Sequence, residues 1–249
     1  MEAVAVIDLA IGDAIECYLP SSDAFGSCEI FYAPHAIQPP ATFEYVVLSY
    51  SDRLGATRTA SATAEHLVLV SGNGSKPMAA LLVGDVITVS DDSAAAPYQA
   101  PITALGRTVQ AGAFDVYLLN AGMPVVDGVV FYPYINQAHT VPGLRGNALM
   151  YMLHAPLWQA YARGDACLDD EAPCTSIGKP LASYVGGLVD KYDTSLQAAL
   201  AGPVASLSPA QLAAGLNRFI AALSVALARG QNFTLASMIG LVLSSMPAA

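Results

Sequence analysis

The chain has 249 residues, 54% of them hydrophobic and 12% charged, with 20 acidic against 10 basic side chains and a formal net charge of −10. This composition excludes an intrinsically disordered chain, and the acidity, with no cluster of Lys or Arg, excludes a nucleic-acid partner held through its phosphates. No uninterrupted apolar run reaches the length of a transmembrane helix: the longest candidate, "FTLASMIGLVLSSM" at 233–246, is too short.

The opening "MEAVAVIDLAIGD" has an acidic residue where a secretory signal carries basic ones, and Asp8 breaks its apolar run, so no export address is expected in it. From there to about residue 140 come short segments rich in Val, Ile, Tyr and Phe. They are "EIFYAPHA", "FEYVVLSY", "EHLVLVSGNG", "DVITVSDD" and "VYLLNAGMPVVDGVVFYPYI", separated by Gly, Pro, Asn and Asp. Close spacing with turn residues between predicts an all-β module. After it the texture changes to helical patterns, among them "GNALMYMLHAPLWQAYARG" and "SPAQLAAGLNRFIAALSVALARG". Ser208 before Pro209 reads as an N-cap with proline at the first helical position, and Gly230 as a C-terminal stop. The expected fold class is therefore mainly β at 1–140, followed by an α-helical extension at 141–249. That extension reads either as a bundle packed through its apolar faces or as helices that form an apolar groove or lie on a membrane.

The β part contains an internal repeat. "IDLAIGDAI" at 7–15 matches "AALLVGDVI" at 79–87, setting Leu9 over Leu81, Gly12-Asp13 over Gly84-Asp85 and Ile15 over Ile87. Further on, "FEYVVL" from Phe43 answers "FDVYLL" from Phe114, each followed by a glycine turn, at Gly55 or Gly122, and one more strand. In each copy the glycine tolerates positive φ and the following Asp is suited to bond the turn's amides. A β module of two pseudo-equivalent halves is expected.

Four cysteines, Cys17, Cys28, Cys167 and Cys174, fit no metal-ligand spacing. Cys167 and Cys174, in "CLDDEAPC", read as a small disulfide loop in an oxidising compartment, and otherwise the cysteines are expected as buried, inert thiols.

Two "L-x-x-G-D" turns in matched frames, "TAEH" at 63–66 opening a strand late in the first half, and "GAF" then "VVDGVV" closing the second are similar to the Hint fold of hedgehog and intein autoprocessing modules. The hedgehog C-terminal branch is the nearer likeness, and the resemblance spans roughly residues 4–140. It implies self-cleavage. A cysteine thiol attacks the preceding carbonyl, the amide becomes a thioester, and a second nucleophile resolves it. The histidine of T-x-x-H is matched by His66, as acid toward the leaving nitrogen, and Thr63 by position is the residue that hydrogen-bonds and distorts the same amide. His35 falls where sterol-transferring members carry an Asp and other branches a His, so it is expected as base toward water, a thiol, a sterol or another alcohol. "FYPYI" departs from the family ending, with Pro133 in place of a cysteine. His139 and His154 lie beyond the match and are expected as structural or surface residues.

The resemblance implies no metal or organic cofactor, and the substrate is the chain's own upstream segment. No cysteine precedes Ile7, so the nucleophile is expected ahead of Met1, on a module lacking its first strand. A split module completed by strand addition, or a catalytically inactive Hint scaffold whose helical tail binds a lipid or protein, are the alternatives. The compartment stays open, a secretory route depending on a signal ahead of Met1.

Overall fold

The computed structural model describes residues 4–72, 74–91 and 94–133, with 34–39, 91, 94 and 95 as backbone alone, and single positions at 161, 211, 214, 215, 218, 222, 225, 240 and 244. The chain divides into two compact units, Met1–Asn136 and Gln137–Ala249. In the second, each described position has α-helical backbone. The rest of the expected extension, with His139, His154, Cys167 and Cys174, lies outside the described residues.

The first unit is sheet-rich. Its strands are β1 (Ala14–Leu19), β2 (Ala24–Ser51), β3 (Thr57–Thr63), β4 (Leu67–Val70), β5 (Gly74–Pro77), β6 (Val86–Asp91), β7 (Ala94–Leu118), β8 (Met123–Val126) and β9 (Val129–Val130). They form one antiparallel network in the order β3-β2-β1-β8-β9-β6-β4-β5, with β7 pairing both β2 and β6. β1 therefore lies inside the sheet, between β2 and β8.

β2 joins two stretches that the sequence reading treats as separate strands. "EIFYAPHA" and "FEYVVLSY" form one strand of 28 residues. Its prolines fall where pairing with β7 shifts register, between Tyr32 and His35 and between Ile37 and Thr42. A proline has no N–H to give the ladder, so a long strand accommodates it at such irregularities. The alanine-rich β7 escapes recognition because its residues have low strand propensity, and pairing with β2 from Ile30–Leu118 to Tyr50–Ile102 imposes extension on it. "VVDGVV" is a hairpin rather than one strand: Asp127 and Gly128 both take positive φ, 49° and 79°, as a two-residue type I′ turn requires.

The repeat is written in the backbone bonds. A 3₁₀ turn at Val6–Asp8 precedes Gly12 as another at Met78–Ala80 precedes Gly84. Gly12 N donates to Ile30 O at 2.9 Å and Ile30 N to Asp13 O at 2.9 Å; Gly84 N donates to Ile102 O at 2.9 Å and Ile102 N to Asp85 O at 2.8 Å. The glycines have φ of 97° and 93°. Each aspartate closes its turn as expected, Ala10 N donating to Asp13 Oδ2 at 2.7 Å and Leu82 N to Asp85 Oδ2 at 2.8 Å. The halves also exchange strands: β1 of the first pairs β8 of the second, and β6 of the second pairs β4 of the first.

Two cores among the described residues follow from this pairing. The larger packs Val46, Leu48, Tyr50, Ile87, Val89 and Ile102 with Val129 and Phe131. The smaller surrounds Cys17 and Cys28 with Ile30 and Leu118. Those two cysteines are a disulfide, not the free thiols expected from the sequence. The β1–β2 hairpin sets Cys17 opposite Gly26 and Cys28 opposite Ile15, one step diagonal, and brings the two Cα atoms to 5.7 Å, within disulfide reach.

Candidate functional site

Thr63 ends β3 and His66 precedes β4, and the four residues between them inclusive are a β-turn. His66 N donates to Thr63 O at 3.1 Å. The Thr-x-x-His spacing is thus the spacing of a closed turn. Two further bonds fix it, Met78 N to His66 O at 2.8 Å and Ala79 N to Ala64 O at 2.9 Å, so the turn is sewn to the start of the second repeat.

The His66 ring is partly buried, its edge set against Phe131 with centroids 5.4 Å apart. Its Nε2 lies 3.1 Å from the carbonyl oxygen of Tyr132. A carbonyl only accepts, so Nε2 carries the hydrogen and the lone pair of the neutral ring is on Nδ1. Burial pulls the pKa down to about 4; the bond to Tyr132 opposes that only in part. At neutral pH the imidazole is therefore uncharged, with the lone pair of Nδ1 unprotonated.

Tyr132 is the partner that sequence reasoning misses, because it contributes a main-chain atom. It is held on three sides: its N donates to Leu67 O at 3.0 Å, its hydroxyl to Gly74 O at 3.2 Å, and its carbonyl receives His66. Enclosure pushes its phenol pKa upward, so the hydroxyl keeps its proton. The contact joins the halves, since His66 belongs to the first and Tyr132 to the end of the second. By strand order the His66 turn corresponds to the turn before β8, where Gly122 N donates to Leu119 O at 3.1 Å, so Gly122 stands where the first half has histidine.

His35 is placed elsewhere, in β2, as the Cα partner of Asp115 in β7. Asp115 is 6% exposed and its Oδ2 has no hydrogen-bond partner among the described residues. Burial raises its pKa well above the usual carboxylate range, against a smaller opposing bond from Val116. Among the described residues no group of three His, Cys, Asp or Glu is placed to hold a metal ion. No helix among them is long and apolar enough to cross a membrane.

No family model and no curated protein matches the chain. Among solved structures it is similar to a variant of the Ssp DnaB mini-intein, at 20% identity and a TM-score of 0.41, over 51% of this chain and 81% of that one. It is similar also to the DnaX mini-intein of Spirulina platensis, at 13% identity and a TM-score of 0.39, over 49% of this chain and 88% of that one. A third is the gp41-1 intein, at 12% identity and a TM-score of 0.38, over 51% of this chain and 84% of that one. Each of the three is an intein.

Chemically, the arrangement offers a neutral imidazole of fixed tautomer beside a closed turn. It suits a proton shuttle rather than a standing acid, because a conjugate acid of pKa about 4 gives up its proton readily once formed.

Proposed function

We propose that the β unit is a Hint-type self-processing module, in which His66 relays a proton during conversion of a peptide bond to a thioester. The carrying observation is the Nε2–H bond to Tyr132, which leaves Nδ1 as the one basic nitrogen of the ring in the Thr63–His66 turn. In the proposed step a cysteine thiol passes its proton to Nδ1, and the sulfur attacks the carbonyl carbon of the preceding residue. As the C–N bond breaks, the imidazolium returns the proton to the departing nitrogen. A second nucleophile then attacks the thioester carbon and the thiolate leaves.

Thr63 is assigned the orienting bond to the scissile amide. His35 is assigned the base that activates the resolving group, whether water, thiol, sterol or another alcohol. The attacking sulfur is assigned to a residue ahead of Met1, since Cys17 and Cys28, the cysteines among the described residues, are joined to each other. That same pairing favours a second reading, a catalytically inactive scaffold whose C-terminal unit binds a lipid or protein.

A fusion with a reporter protein and a cysteine at successive positions ahead of Met1 separates the two. Hydroxylamine, which cleaves thioesters and leaves disulfides intact, is expected to release the reporter from at least one fusion, and His66→Ala to slow release by roughly a hundredfold or more. A folded fusion that keeps its reporter at every cysteine position establishes the scaffold reading instead.

A further inference from the structure

The disulfide joins β1 to β2, apart from the His66 turn before β4, yet a short chain of contacts connects them. Cys17 is the Cα partner of Pro124 in β8, as Tyr18 is of Met123. The carbonyl of Pro124 accepts from Phe131 N at 3.0 Å, and the next residue is Tyr132, whose carbonyl holds His66 Nε2–H. The other sulfur presses on the start of β8. A Cβ placed on Gly122 would lie 2.4 Å from Cys28 Sγ, a distance no real contact shows, so the sulfur occupies the space that any side chain at 122 would need. Both cysteines are within 1% of complete burial, so the sulfurs are packing atoms as well as a covalent link.

We propose that Cys17, Cys28 and Gly122 are positioning residues for the His66–Tyr132 contact, and that the module is competent with its disulfide closed and loosened when a dithiol opens it. The inference rests on the self-processing reading only for its consequence on rate; the positioning itself is independent of it. Opening is a two-electron step. A dithiol gives two electrons and two protons, becoming a cyclic disulfide, while the S–S bond is replaced by two thiols at Cys17 and Cys28. Two sulfhydryls need more room than one S–S bond, and the atoms they face are the backbone of Gly122, where β8 begins. Displacing β8 moves Pro124, and with it the carbonyl that registers Phe131 and Tyr132 against His66. A module tuned in this way belongs to an oxidising compartment.

The test follows His66 by nitrogen-15 NMR in the whole chain, oxidised and then reduced with a water-soluble phosphine. In the oxidised chain the Nε2–H is expected to exchange slowly and the ring to stay largely neutral down to about pH 5. After reduction, or in Cys17→Ala/Cys28→Ala, the proposal expects the Nε2–H to exchange at least tenfold faster and the ring to titrate nearer to the ordinary histidine value of about 6.5. Gly122→Ala keeps both cysteines and should shift His66 in the same direction. Gly106→Ala, with nothing within 4 Å of its added Cβ and, as at Gly122, no positive φ, adds the same methyl without a clash and should leave His66 unmoved. An unchanged His66 resonance and titration in the reduced chain and in Gly122→Ala overturns the proposal. Reporter release in the oxidised fusions reads out separately: its absence with a normal His66 shift removes the processing reading and leaves the positioning intact.

Discussion

At the scale of the residue, His66 links the site to stability through its proton. Folding lowers its pKa from an ordinary 6.5 to about 4, so between those values the unfolded chain binds the proton and the folded chain does not. Stability is then complete above pH 6.5, falls as pH drops toward 4, and levels off below; the loss amounts to about 3 kcal/mol at one unit per 1.4 kcal/mol. Denaturant unfolding at a series of pH values measures it, and His66→Gln, which keeps an amide donor but cannot titrate, should flatten that interval relative to the parent chain. An equal slope in both proteins would show that the imidazole is not held neutral. Asp115 works in the opposite sense: its raised pKa makes the folded chain the better proton binder above the usual carboxylate range, which costs stability as pH rises. Thr63 and His66 were legible as a pair because a four-residue turn fixes its own spacing. Tyr132 was not, because a carbonyl oxygen belongs to every residue and its placement depends on a hairpin 66 positions away.

At the scale of the element, the Gly-Asp turns show how much a local signal determines. Both were readable from residue types alone, since positive φ selects glycine and a short carboxylate reaches the amide three residues back. What residue types could not show is that the turns sit in different surroundings. Asp85 Oδ1 also takes the ammonium of Lys76 at 2.6 Å. Asp13→Ala and Asp85→Ala should therefore each cost about 1 kcal/mol for the lost amide bond. Asp85→Ala should cost more only by the partly exposed ion pair, at most about 1 kcal/mol further and shrinking in salt. Parallel thermal unfolding of the two variants, with and without added salt, checks both statements, and a several-fold disparity at high salt would contradict the equivalence of the turns. The long strands were harder to read. Prolines at 34, 39 and 40 look like breaks when the strand is judged alone, and only the register shifts against β7 show how it continues past them. The Cys17–Cys28 link was hidden for the same reason, because a spacing of 11 becomes a contact only once the β1–β2 register is known.

At the scale of the whole β unit, the two halves are not independently folded lobes. Each lends a strand to the other, β8 to β1 and β4 to β6, and β7 pairs with both β2 and β6. Neither half can complete its hydrogen bonding alone, so duplication here produces one cooperative body rather than two domains in tandem. The disulfide makes this testable. Closing a loop with a separation of 11 residues restricts the unfolded chain by about 3 kcal/mol in the loop-entropy picture, so Cys17→Ala/Cys28→Ala should lose roughly 2–4 kcal/mol in denaturant unfolding. If the halves were separable, the loss would fall on β1, β2 and β8, and amide exchange at the distant β4–β6 pairing, where Val70 faces Ile87, would keep its parent rate. With strands exchanged, the most protected amides of both regions exchange through the same global opening. Their protection should then fall together by the full stability difference, on the order of a hundredfold. Exchange that speeds up at Ile30 and Leu118 while Ile87 and Ile102 hold their rates would establish two folding units and dissolve the argument for a single fused body.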